Sequence, residues 1–140
     1  MRRNVLAIII MVIIILTIAM ILLLLPPEPA HAEITAVTTD KVLYYSNEIM
    51  KIAVSTNSSQ KMDNTTVRIE GIQDRYGKMR LTYEMPTNLS PGPDVFAYDY
   101  KLPSCSSCAG LNPGTYKINV TLVRNGAIIS NITRSVQLEQ

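Results

Sequence analysis

From Val5 to Leu25 the chain runs for 21 residues without a charge, a Gly or a Pro, and Thr17 is its only polar interruption. A helix lying on a globular core needs one polar face, and this run has none at any period. At 1.5 Å rise per residue it makes a helix about 31 Å long, which matches the hydrocarbon thickness of a bilayer. Residues 5–25 therefore read as a transmembrane segment, with the membrane as a first partner. Arg2 and Arg3 precede it, and no Lys or Arg occurs among residues 26–33. The positive-inside rule leaves residues 1–4 in the cytoplasm and carries the C-terminal part across, giving a single-pass protein with an extracellular domain.

Pro26, Pro27 and Pro29 stop the helix and favour an extended backbone, so residues 26–33 read as a short stalk. Ala30-His31-Ala32 has the A-x-A form that signal peptidases accept, with cleavage after Ala32. The apolar run is longer than the usual core of a secretory signal, which favours retention as a signal anchor. No Cys follows the run to accept a lipid.

Beyond the stalk the apolar pattern becomes alternating, and residues 34–140 are about one domain in size. Met50, Ile52 and Val54 alternate with Lys51, Ala53 and Ser55. The same holds for Val67 and Ile69, for Met79, Leu81 and Tyr83, and for Phe96, Tyr98, Tyr100 and Leu102. Tyr116, Ile118, Val120 and Leu122 follow, then Ile132, Val136 and Leu138, with Arg134 an exception at the same parity. Turn signals separate these runs, and Asn125-Gly126 between two of them is a tight-hairpin signature. With Glu33–Thr38 as a first strand, about seven strands predict an all-β antiparallel sandwich. A helix near Ile72–Met79 is the competing α+β reading, disfavoured by Gly71 and Gly77.

Two stretches carry a resemblance. Thr39-Asp40-Lys41-Val42-Leu43-Tyr44-Tyr45-Ser46-Asn47-Glu48 and Leu111-Asn112-Pro113-Gly114-Thr115-Tyr116-Lys117-Ile118-Asn119-Val120 resemble the entry and a late strand of Ig-like, macroglobulin-type β-sandwich domains. Such domains occur on prokaryotic cell-surface proteins, with archaea the favoured source. The resemblance implies an Ig-like architecture and no activity. Asn47 stands where that family usually has Gly, and both tolerate a left-handed backbone. Pro113-Gly114 suits a type II turn. Tyr116 then points inward, either as a core aromatic or as a tyrosine corner whose hydroxyl satisfies a backbone group.

Few residues offer chemistry. Cys105 and Cys108 are the only cysteines, and outside the cytoplasm they are expected to form a local disulfide. Their spacing is also that of thiol-disulfide oxidoreductases, or of half a metal site completed by dimerisation, but Pro and Gly neighbours indicate a loop. The only His, His31, lies in the stalk, so neither a Ser-His-Asp nor a Cys-His catalytic set is available in the domain. Asp63, Asp74 and Asp94 read as solvated loop charges. No cofactor, resident metal or enzymatic activity is expected.

Five Asn-x-Ser/Thr sequons, at Asn57, Asn64, Asn88, Asn119 and Asn131, exceed the one or two expected by chance, roughly, from this composition. They fit a surface that meets a glycosylation system, although Asn and Thr also simply suit polar strand faces. Removing Arg2, Arg3 and Glu28 from the totals leaves 11 basic and 10 acidic residues over residues 33–140, which gives no footprint for nucleic acid. The expected protein is a membrane-anchored extracellular Ig-like module with a binding, adhesion or envelope-structural role. It would meet a protein or glycan partner, or serve as a small subunit of a surface assembly. A pilin-like filament subunit and a secreted CxxC thiol-disulfide protein are the alternatives.

Overall fold

The computed structural model describes residues 2–24, 29–105 and 107–139, with the N-terminal helix side chains described from Ile10 onward. Leu25 and the stalk residues 26–28 lie outside the described residues. The apolar run is helical as expected, forming α1 from Arg2 to Leu24. Every described side chain of α1 is exposed, reaching 85% at Leu23. The side chains of residues 2–9 lie outside the described set. Among the described residues, no helix is long and apolar enough to cross a membrane.

Among the described residues the remainder is a two-sheet β-sandwich of eight strands: β1 (Ala32–Thr39), β2 (Leu43–Tyr44), β3 (Ile49–Ser58), β4 (Met62–Gln73), β5 (Met79–Leu89), β6 (Gly92–Lys101), β7 (Gly114–Arg124) and β8 (Ala127–Leu138). One sheet has the order β1-β3-β6, and the other β2-β8-β7-β4-β5. The expectation of about seven antiparallel strands misses β2, a two-residue strand that pairs parallel to the end of β8. Two residues are too few to show a period. β1 also takes Ala32 and Glu33 from the expected stalk, pairing them with Ser58 and Asn57.

The alternation translates directly into burial. Met50, Ile52 and Val54 of β3 meet Val67 and Ile69 of β4, Leu81 of β5, and Ile118, Val120 and Leu122 of β7 in one core. Burying each such side chain is worth about 1.5–3 kcal/mol. The sheets are also tied by the Ile34 N–H, which donates to Ser130 Oγ at 3.0 Å. On the opposite flank the two edge strands meet through Tyr83 of β5 and Tyr98 of β6, whose rings stack 3.9 Å apart. Met79 departs from the expected inward set and is 44% exposed, because it lies at the mouth of the β4–β5 turn. Arg134 keeps the inward parity of β8 and is nevertheless exposed; β2 pairs only with Gln137 and Leu138, beyond it. Residues 74–78 form a turn with Gly77 at φ 83, so the helix considered there does not form.

Strand register defines two ends. Ala32, Ser58 and Gly92 lie together at the end where the chain enters, with the Asn125-Gly126 hairpin. That hairpin joins Arg124 to Ala127 with φ 49 and 81, as a type I′ turn requires. The opposite, distal end carries the β4–β5 turn, the Cys105–Cys108 loop, the start of β7 and the end of β8.

Candidate functional site

The distal end is where the unusual residues collect. Tyr44 is fully buried, and its hydroxyl donates to Asp40 Oδ1 at 2.7 Å while accepting the Lys41 N–H at 2.9 Å. Asp40 Oδ1 also accepts the Lys51 N–H at 2.8 Å. The hydroxyl, then the amide, hold the Asp40 carboxyl below the ordinary carboxylate range. Burial, with the Asp40 partner, pushes the Tyr44 phenol up. Lys41 Nζ pairs with Glu48 at 2.8 Å, and the second Glu48 oxygen accepts the Tyr45 N–H. Asn47 adopts φ 67 and donates its N–H to the Pro103 carbonyl. The first family-like stretch is thus a brace for the loop between β1 and β3, and its charges are paired with one another and with nearby backbone amides.

The second stretch is a tyrosine corner. Tyr116 is half-buried, donates to the Asn112 carbonyl at 2.7 Å and accepts the Asn112 N–H at 3.0 Å. The expected type II turn does not occur. Gly114 sits at φ 154, far from the roughly +80° of that turn's third residue, and opens β7 opposite Leu138.

Asp74, read from sequence as a solvated loop charge, is only 5% exposed. Its Oδ1 accepts the N–H groups of Tyr76 and Lys78, each at 2.9 Å, and its Oδ2 meets Arg80 Nη2 at 2.7 Å. Burial alone would raise this carboxyl. The Lys78 and Tyr76 amides and the Arg80 guanidinium outweigh it and leave Asp74 below the usual range. Arg80 also donates to the Ala109 carbonyl, and the Arg75 N–H to the Gly110 carbonyl, so the turn is fastened to the disulfide loop. The signal missed in the sequence is Arg80, six residues on, which is the spacing of a hairpin rather than of a helix face.

Just before this turn β4 is bent. Ile72, fully buried, has φ 53, a left-handed conformation that β-branched residues rarely adopt. A Cβ on Gly71 would collide with the Lys117 carbonyl, so only glycine permits the close approach of β4 to β7. Beside Gly71 and Ile72 lies a cavity of about 410 Å³ on the outer face of the five-stranded sheet. Gln73, Met79, Thr115, Lys117 and Asn119 line it around Gly71.

Cys105 and Cys108 form the expected disulfide, and the Ala109 N–H donates to the Cys105 carbonyl at 3.1 Å. The Cys108 N–H also lies 3.3 Å from Cys105 Sγ. Ser106, between them, lies outside the described residues. The five sequon asparagines are all exposed, as are Asn47, Asn112 and Asn125, so exposure does not single them out. Asn57, Asn64 and Asn88 lie toward the entry end. Asn119 and Asn131 lie mid-sheet, each directly opposite the Thr of the other's sequon. Tyr98 and Tyr100 are half-buried on the inner face, as their alternation predicts, and Tyr100 donates to the Arg80 carbonyl. Tyr45 and Tyr76 face outward, 46% and 72% exposed. Exposed Ile49 and Met79 join them at the distal end. Arg75, Lys78, Lys101 and Lys117 add positive charge there, and among the described residues none of them forms an ion pair. Among the described residues no group of three or more His, Cys, Asp or Glu side chains could hold a metal ion.

No protein-family profile matches the chain, and no curated protein matches it by sequence. Solved structures do match its fold. The CARDB domain of a Pyrococcus furiosus protein, solved in solution, is 15% identical, with a TM-score of 0.53 over 78% of this chain and 93% of that one. The crystal structure of that CARDB domain in complex with di-metal ions gives the same identity and TM-score over 79% of this chain and 88% of its own. A Paenibacillus cycloisomaltooligosaccharide glucanotransferase complexed with cycloisomaltoheptaose reaches a TM-score of 0.60 at 13% identity, over 80% of this chain but only 15% of that enzyme. At these identities the likeness concerns architecture, and the chain is similar to an archaeal Ig-like β-sandwich module.

Proposed function

We propose that this protein is a membrane-anchored extracellular module, held by α1 and presenting the distal end of its sandwich to a protein or glycan partner at the cell surface. Its role on this reading is binding or envelope structure, not catalysis. The observation that carries it is the uncovered apolar surface of α1. From Ile10 to Leu24 every side chain is exposed, and only Thr17 is polar. A bilayer is the environment that covers such a helix on all sides. Two observations support the choice of the distal end. Asp40, Glu48 and Asp74 spend their charges on internal bonds. Arg75, Lys78, Tyr45, Ile49 and Tyr76 are left facing out. Protease shaving of intact cells, combined with alkaline extraction of their membranes, tests the topology. The sandwich is expected to be clipped from outside while α1 stays with the membrane. A domain protected in intact cells, or a chain released by alkali, overturns the proposal.

A second reading, a thiol-disulfide protein, is favoured by one contact. The Cys108 N–H lies against Cys105 Sγ, where it would stabilise a thiolate. Equilibration with glutathione tests it. A potential below about −300 mV, that of a structural disulfide, excludes this reading.

A further inference from the structure

We infer that Asn119 is a glycosylation site with a built seat, and that the first sugars of its glycan lie in the cavity beside the Gly71–Ile72 bend. Among the described cavities, this is the one lined by a sequon asparagine; Asn57, Asn64, Asn88 and Asn131 line none of them. Asn119 stands on β7 between Glu70 of β4 and Thr133 of β8. Thr133 Oγ1 donates to Asn119 Oδ1 at 2.8 Å, which turns the carbonyl of the amide toward β8. Nδ2 is then turned toward β4, the side on which the cavity opens. It is also the atom that an N-glycan uses.

The lining suits a sugar attached at that nitrogen. A pyranose ring offers hydroxyl edges and weakly apolar faces. Lys117 and Thr115 supply donors to the hydroxyl edge. Gln73 already donates through Nε2 to the Gly77 carbonyl at 2.9 Å, so its Oε1 remains to accept from a sugar hydroxyl. The exposed thioether of Met79 gives an apolar surface for the ring face. The volume, about 410 Å³, lies within the range of small-ligand sites. The left-handed Ile72 and the close approach of β4 to β7 at Gly71 border this cavity and fix the strands that line it.

Modification requires a glycosyl donor activated as a lipid-linked phosphate ester, together with its transferase. Asn119 Nδ2 bonds to the anomeric carbon, and the carbon–oxygen bond to the phosphate breaks. The phosphate leaves with the bonding pair, and the amide proton passes to a base of the transferase. Asn131 begins on the neighbouring strand, diagonally across from Asn119 and about 7–8 Å away. A glycan there would compete for the same surface without a cavity of its own.

The inference rests on the extracellular placement proposed above. Its test is glycopeptide mass spectrometry of the protein from its native membrane, followed by amide exchange of wild type, Asn119→Gln, Thr121→Ala and Asn131→Gln. Asn119 is expected to be occupied. Residues 73–79 and 115–117 are expected to exchange several-fold faster in Asn119→Gln and Thr121→Ala, and to stay unchanged in Asn131→Gln. An unmodified Asn119 overturns the inference, and so does a glycan whose loss leaves those amides unaffected. A free sugar protecting them while Asn119 stays bare overturns it too, and points to a soluble ligand. Should every sequon prove bare while protease still reaches the domain from outside, the seat is refuted and the topology stands.

Discussion

Replacing Tyr116 by Phe removes one oxygen and leaves the ring in place. That oxygen makes two hydrogen bonds, both to the backbone of Asn112. A typical intramolecular hydrogen bond has a net worth of about 0.5–1.5 kcal/mol. Asn112 is exposed, so water can reach both of its abandoned groups, and the lower half of that range applies to each. The expected loss is about 1–2 kcal/mol, which for a domain of this size lowers Tm by about 5–10 °C. The chain has no Trp, so the assay is urea unfolding of the full-length protein in detergent, followed by far-UV circular dichroism. Tyr83→Phe is the control. Its ring stacks on Tyr98, and its hydroxyl makes no hydrogen bond among the described residues, so its loss is expected to stay within about 0.5 kcal/mol. If Tyr116→Phe costs no more than this control, the corner is only a packed ring and the reasoning fails.

Gly71→Ala forces a methyl group into the β7 backbone and is expected to cost about 1–3 kcal/mol in the same unfolding assay; a neutral result would show that the two strands can separate freely. Replacing both Cys105 and Cys108 by Ser opens a loop of only four residues, for which chain entropy predicts a loss of about 2 kcal/mol at most. The double variant is therefore expected to stay folded, and global unfolding on reduction would contradict this. Asp40, Glu48 and Asp74 all have lowered pKa values in the folded state, so their stabilisation is complete above the unfolded carboxylate range, about pH 4, and is lost as pH falls through the folded values. Unfolding midpoints measured from pH 7 down to pH 2 are expected to fall on the acid side, and Asp74→Asn is expected to flatten that limb; an unchanged limb would refute the assignment.

The strands were legible where one face of the sheet is dry and the other wet, because burial then imprints a period of two. β3, with Met50, Ile52 and Val54 inward, and the inner run of β7 are the clearest cases. The Asn125-Gly126 hairpin and the left-handed Asn47 were legible for a different reason, since few residues tolerate those backbone angles. β2 escaped because its existence depends on β8, nearly a hundred residues away. The Ile72 bend escaped because an isoleucine gives no local sign of a positive φ; only the packing of β4 on β7 imposes it. Asp74 escaped because its partners assemble only once the hairpin has formed. The candidate site was thus readable as separate residues, Asn119, Cys105 and Tyr116, and unreadable as a place.

The His31 N–H donates to Ser59 Oγ at 3.0 Å, and the His31 carbonyl accepts the Ser59 N–H at 2.9 Å. Ala32 beside it is 2% exposed. A signal peptidase must take Ala30-His31-Ala32 as free, extended chain, and the folded domain has already claimed two of those three residues. On the extracellular placement proposed above, folding and cleavage would race for the same short segment. Once β1 had paired, the cut site would no longer be a substrate, so the speed of sheet closure would act as the clock that decides whether the domain keeps its proposed tether.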